Sequence, residues 1–172
     1  MRTLTIAVRG HVGTFSEVTI DDEDASRVRA KAWRIGAGGY PMADFYAGYR
    51  NGKELRRRVP MHRWILGLSA EDRREVDHIN RNKLDNRRSN LRICTRAENA
   101  QNIGPKPRRN RDGKDCGYRG VSWGSRDKVW RAHAMVSGKL HALGSFKDPE
   151  QANAVLVAFR AAHMPFSQEA RS

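Results

Sequence analysis

Asp77, His78 and Asn99 are the residues of this chain whose types and spacing suit chemistry. A carboxylate and an amide oxygen are hard donors, suited to Mg²⁺ or Mn²⁺ with water and phosphate oxygens in the remaining positions. Two protein ligands are few, but such ions often rely on the substrate phosphate. The imidazole of His78, with an unperturbed pKa of about 6.5, can take a proton from water near neutrality. The set suffices for phosphodiester hydrolysis. His78 would activate the water, and the ion would polarise the phosphoryl group and steady the leaving oxygen.

The surrounding residues supply elements that can hold these groups. A short strand ends at Asp77-His78, an Asn-, Asp- and Arg-rich loop follows, and a second strand runs Leu91-Arg92-Ile93-Cys94. Thr95 is an N-cap and Glu98, three residues on, completes a capping box; Gly104-Pro105 ends the helix. A strand-loop-strand-helix of this size can carry Asn99, on the first helical turn, back against the first strand. Asn102 lies one turn further. The loop residues Asn86, Arg87 and Arg88 read either as phosphate contacts or as a solvated turn.

Charge points to the partner. Thirty-three Lys and Arg against nineteen Asp and Glu give a formal net charge of +14 over 172 residues. That excess concentrates a polyanion around the chain and speeds its capture. No apolar run reaches the roughly 18 residues a spanning helix needs. The start of the chain lacks a signal-peptide core, since Arg9 interrupts it after a few apolar residues. A basic amphipathic helix with a broad apolar face is also missing, which argues against a membrane surface. The expectation is a soluble, cytoplasmic protein. Cys94 and Cys116 cannot form a Cys-x-x-Cys pair and read as free thiols.

The chain divides into three segments, a linker and a tail. Residues 1–60 alternate short apolar runs with turn signals, and Asp21-Asp22-Glu23-Asp24 can open a short helix. Asn51-Gly52 signals a hairpin, and the segment reads as a small β-rich unit without chemistry of its own. Residues 60–103 hold the Asp-His motif. Residues 104–117 form a basic linker that cannot bury a core; its Arg108 and Arg109 are candidates to lie along phosphates. Residues 118–166 read as three strands (Tyr118 to Trp123, Val129 to Val136, Lys139 to Phe146) and a helix begun by Asp148-Pro149. Ala152, Val155, Leu156, Phe159 and Ala162 give that helix one apolar face. Residues 167–172 are a tail.

On these residues the sequence resembles the HNH endonucleases, specifically the phage-type homing enzymes with a ββα-metal core. The resemblance covers roughly residues 1–103 and is strongest from 60 to 102. It implies that Asp77 is the first metal ligand, His78 the general base and Asn99 the second metal ligand. It also implies that Asn90 holds the loop and orients the histidine. Met61-His62-Arg63-Trp64 is similar to the family's His-Arg helix, with His62 leaning to a structural role.

The third segment resembles the APETALA2-type DNA-binding domain over about 50 residues, through Tyr118-Arg119-Gly120-Val121-Ser122-Trp123, Lys128-Val129-Trp130-Arg131-Ala132 and Leu143-Gly144-Ser145-Phe146. The resemblance implies a sheet face in the major groove. The expected groove-facing residues are Arg119, Trp123, Arg126, Arg131, His133, Lys139 and His141; Arg87 and Arg88 of the first loop are further expected DNA contacts, at phosphate. Trp130 and Phe146 read as core. Plant members carry Arg and Trp where this chain has Met135 and Ala142, so their base specificity does not transfer.

The expectation is therefore an α+β protein in three parts: 1–103 nuclease, 104–117 linker, 118–166 DNA-binding domain. It would use Mg²⁺ or Mn²⁺ on double-stranded DNA, nick as a monomer or cut both strands as a dimer, the monomer being the default, and take no small-molecule substrate. Two rivals are a DNA-binding regulator with an inert core and an RNA-binding or general nucleic-acid-binding protein.

Overall fold

The computed structural model describes residues 2–10, 13–69, 71–104 and 116–171. Arg108 and Arg109 of the expected linker lie outside these residues. The chain forms two compact units, Met1–Thr95 and Arg96–Ser172, and both are mixed α+β. No helix among the described residues is long and apolar enough to cross a membrane.

The first unit is built on β1 (Thr3–Arg9), β2 (Phe15–Asp21), β3 (Arg34–Ile35), β4 (Pro41–Arg50) and β5 (Lys53–Pro60), in the spatial order β2-β1-β3-β4-β5. The β1–β3 contact is parallel and the others are antiparallel. Period-two alternation buries Val8 of β1 and Val18 and Ile20 of β2, as expected where one sheet face meets a core. Between β2 and β3 the acidic run becomes a 3-10 turn, Asp22–Asp24, leading into α1 (Ala25–Arg29). Val28 of α1, Trp33, and Met61 and Ile65 of α2 (Met61–Ile65) close the core. Asn51-Gly52 makes the β4–β5 turn with φ of 52° and 73°, the left-handed pair that a two-residue hairpin turn requires.

A two-stranded sheet follows: β6 (Glu75–His78) pairs antiparallel with β7 (Leu91–Cys94), with Asp77 opposite Arg92 and His78 opposite Leu91. Their connecting loop is tied to the edge of β2. Thr19 N donates to Leu84 O (2.9 Å) and Asn86 N donates to Thr19 O (2.7 Å). The β-rich segment, silent in sequence, is thus the platform for the motif loop.

The second unit opens with α3 (Arg96–Asn99) and a 3-10 turn, Ala100–Asn102, where one continuous helix was expected. Residues 96–104 count with this unit and not with the first, because the Arg119 guanidinium donates to the carbonyls of Ala100, Gln101 and Ile103 at 2.6–2.8 Å. Its three-stranded sheet has the order β10-β9-β8, from β8 (Val121–Gly124), β9 (Val129–Val136) and β10 (Lys139–Phe146). These bounds follow the expected strands, β8 being shorter. On one face α4 (Pro149–His163) lays Ala152 and Leu156 against Val121, Ala132 and Ala134. Asp148 caps α4 by accepting from Glu150 N at 3.2 Å.

Candidate active site

His78 ends β6 with its ring buried (4% exposed). Three neighbours fix it. Asn86, wholly buried, presents its side-chain oxygen to His78 Nε2 at 3.4 Å, while its Nδ2 is committed to Lys83 O at 3.1 Å. An amide oxygen only accepts, so Nε2 carries the ring proton and Nδ1 keeps the lone pair a base needs. The Tyr40 and His62 rings pack against the imidazole at centroid distances of 5.8 and 5.0 Å. Burial lowers the His78 pKa below its ordinary value, the Asn86 bond opposing this in part. The ring is accordingly held neutral near pH 7.

Each neighbour is delivered by an identifiable element. Gly39, at φ +78°, lets the chain fold back so that Gly36 N donates to Tyr40 O (2.9 Å) as β4 begins. Burial, then the charges of Asp77 and Glu75, raise the Tyr40 pKa. Lys83 Nζ lies 4.6 Å over its ring. His62 rides on α2 between the buried anchors Met61 and Ile65, and the next residue, Arg63, donates to the carbonyls of Ser69, Asp72 and Arg74 that lead into β6. His62 is itself 7% exposed, and its Nδ1 has no partner among the described residues.

Desolvation, with His78 and Arg63 nearby, pushes the His62 pKa down to about 3. Between pH 6.5 and 3 the unfolded chain therefore binds a proton there that the folded chain refuses. Stability from this group is complete above pH 6.5 and falls as the pH drops through that window. At pH 4.5 the penalty is about 2–3 kcal/mol. Urea midpoints of wild type and His62→Phe at pH 7 and 4.5 measure it: the variant should lose that much less on acidification.

Asn90 is buried (6% exposed) and acts as the loop's internal clamp. Its Oδ1 accepts from Asn80 N at 2.9 Å, its Nδ2 donates to Asp85 O at 2.7 Å, and its carbonyl accepts from Ile79 N at 2.8 Å. It grips the two residues that follow His78 without touching the ring, and Asn86 does the orienting. Nothing in the sequence spacing separates these two asparagines; the signal lies in the β2 edge that buries one of them.

Asp77, also buried, faces Arg92 across the hairpin, whose Nε and Nη2 donate to its Oδ2 at 2.8 and 2.5 Å. Arg92 was not among the expected site residues, though the strand register puts it directly opposite. No group of three or more His, Cys, Asp or Glu able to hold a metal gathers among the described residues. A single buried carboxylate, held against a guanidinium, suits an open divalent-ion site better than a closed structural one. Asn99, half-buried at the end of α3, belongs to the second unit.

Several expected DNA contacts have other partners. Arg87 grips Asp85 at 2.7 and 2.6 Å. Arg88 grips the 1%-exposed Asp24 at 2.9 and 2.8 Å, and its backbone N–H donates to Asp21 at 2.8 Å. These bonds fasten the motif loop to the acidic turn and give Arg88 a structural role. Arg88→Ala should lower the unfolding free energy by about 2 kcal/mol, the scale of a charged hydrogen-bonded pair, with Arg27 still on Asp24 at 3.1 Å. Chemical denaturation tests this; an unchanged midpoint with weakened DNA affinity would restore the contact reading.

In the second unit the register divides the expected groove face. Trp123 lies opposite Trp130, and His141 opposite Ala134. The strand period puts both on the face that α4 covers, and the His141 ring lies 5.3 Å from that of Phe159. Arg119 is committed to the carbonyls already described. Arg131 and His133 project from the uncovered face, with Met135 beside them; Arg131 pairs with Asp127. Arg126 is exposed in the β8–β9 turn, and Lys139 starts β10 opposite Val136.

The comparisons with known proteins agree with the Asp-His motif. A sequence profile described as HNH endonuclease matches residues 69–101. An uncharacterised HNH endonuclease of Acanthamoeba polyphaga mimivirus is 30% identical over 152 residues, which is 86% of this chain and 69% of the relative. No solved structure gives a significant match.

Proposed function

Since the chain belongs to the HNH endonuclease family, and so is a hydrolytic nuclease acting on DNA, we propose that it cuts double-stranded DNA at a recognised site, as a homing-type enzyme with a ββα-metal core. The observation that carries this reading is the buried, neutral His78, held by Asn86 with Nδ1 unprotonated, beside the Asp77 carboxylate. His78 takes the proton of the attacking water, Asn90 keeps the loop closed beneath it, and Asp77 and Asn99 are the protein ligands of Mg²⁺ or Mn²⁺. When bound, that ion supplies Lewis acidity to the phosphoryl group and charge neutralisation at the leaving oxygen.

Residues 118–166 act as an APETALA2-like binding domain. The uncovered sheet face with Arg131 and His133, and Arg126 in the adjoining turn, is the surface offered to DNA. Arg108 and Arg109 of the basic linker track the backbone. Tethering a cutter to a binder raises the local concentration of the active site at the bound sequence. One such core per chain makes one incision per binding event, so a monomer nicks.

Supercoiled plasmid tests the reading. Wild type should convert it to the open-circular form in Mg²⁺ or Mn²⁺ and not in EDTA, and Asp77→Ala should lower the rate by about 10²-fold or more. Equal nicking in EDTA, or by Asp77→Ala, would remove the metal assignment.

A further inference from the structure

Beyond Phe45 and Val59 the β4–β5 ribbon leaves the core. Every residue from Lys53 to Arg58 is exposed, and so are Tyr46, Tyr49 and Arg50 on the facing strand. A bulge organises this outer half. Tyr46 pairs with Arg56 and Tyr49 with Glu54, so three steps along β4 match two along β5. The extra residue cancels the strand alternation, bringing both tyrosines to one face with ring centroids 6.0 Å apart. Gly48 permits it. Its φ is +106° although a Cβ there would meet nothing, so conformation alone demands glycine. Tyr46 is 63% and Tyr49 72% exposed, so neither earns its place by packing in a core.

The ribbon as a whole is basic, and its tyrosine face carries Arg56 and Arg58 with Asp44 and Glu54. Arg56 lies opposite Tyr46, and Arg58 two residues further along β5. Over residues 41–60 five Arg and Lys stand against two acidic residues. Arg56 is bonded to Glu54 (2.9 Å), Arg57 to Glu71 (2.6 Å) and Arg58 to Asp44 (2.9 Å). These pairs are exposed, and such pairs are weak enough to exchange for phosphate. At the tip Arg50 and Lys53 have no carboxylate partner among the described residues.

We propose that the β4–β5 ribbon is a duplex-DNA-binding element of the first unit, entering the major groove with Tyr46, Tyr49, Arg56 and Arg58 against the duplex. A two-stranded ribbon has the width that groove admits, and the charge is complementary to phosphate. Arginines take the backbone and the tyrosines bury their rings against sugars and base edges. The inference rests on the nuclease reading for its choice of duplex DNA as occupant. It makes the cutting unit a binder in its own right, not only a passenger of the second unit.

Binding of the full-length chain to a random-sequence 30-base-pair duplex, followed by fluorescence anisotropy in EDTA across a salt series, tests it independently of cleavage. Arg56→Gln/Arg58→Gln should weaken binding about tenfold at moderate salt and flatten the log K against log salt slope by roughly 1.8. Tyr46→Ser/Tyr49→Ser should weaken binding several-fold while leaving the slope intact. In wild type, bound duplex should protect both tyrosines from nitration, a readout that needs no variant. Unchanged affinity and slope in both variants, or equal nitration with and without duplex, overturns the proposal. So does single-stranded RNA that competes as well as the duplex. Loss of nicking with these binding changes intact would count against the nuclease assignment alone.

Discussion

Replacing His78 with alanine is expected to lower single-turnover DNA cleavage about 10³-fold, within the usual range for loss of a positioned general base, while duplex affinity stays within about twofold. The structure gives both halves of that expectation. The ring is buried among Asn86, Tyr40 and His62 and is held neutral, so it contributes no charge to DNA attraction. Its one lone pair is the group that removal deletes. Asn86→Leu should act more mildly, about tenfold, because it frees the ring to choose the other tautomer without removing it. Gel-based cleavage under protein excess, with anisotropy for affinity, separates rate from binding. Equal cutting by wild type and His78→Ala would overturn the base assignment; lost affinity in step with lost rate would make His78 a binding residue.

The motif itself was legible because its residues are local. Asp77-His78, the loop and β7 are contiguous, and strand pairing of neighbours fixes their geometry. The second unit was legible for a similar reason: alternating strands and the Asp148-Pro149 helix start are short-range signals, and the observed elements follow them. What escaped was set by long-range packing. Asp21 and Asp24 read only as part of a helix start, yet they are buried because Arg88, 64 residues from Asp24, pairs with the turn. Asn86 was one asparagine among several until Thr19 of β2 buried it against His78. Trp123 and His141 were placed on the groove face by type. Strand register, which a single sequence does not fix, assigns them to the helix side. Charge alone cannot tell an arginine that meets phosphate from one that meets a buried carboxylate.

Arg160 carries the other large expected effect. It is 4% exposed on α4, and its guanidinium donates to Glu169 at 2.9 Å and to the carbonyl of Arg119. Arg119 in turn holds the carbonyls of Ala100, Gln101 and Ile103. Two arginines in series thus fasten the 3-10 turn after α3, the approach to β8 and the C-terminal turn to α4. Arg160→Ala strips Glu169 of its counter-charge, although Glu169 Oε2 has no partner among the described residues, and it takes a donor from the Arg119 carbonyl. Breaking a buried pair from one side costs about 3–5 kcal/mol, a large part of what a unit this small commands. Thermal unfolding should therefore split, with the second unit melting first and the transition of the first unit unmoved. Arg160→Lys should rescue little, since an ammonium cannot reproduce the planar fork. Arg160→Met/Glu169→Gln should recover part of the loss, because it removes both charges together. A single unshifted transition in Arg160→Ala would mean that the arginine relay holds nothing. If the second unit supplies the recognised site, the variant held between its two transitions should still nick plasmid but lose its preference among sequences.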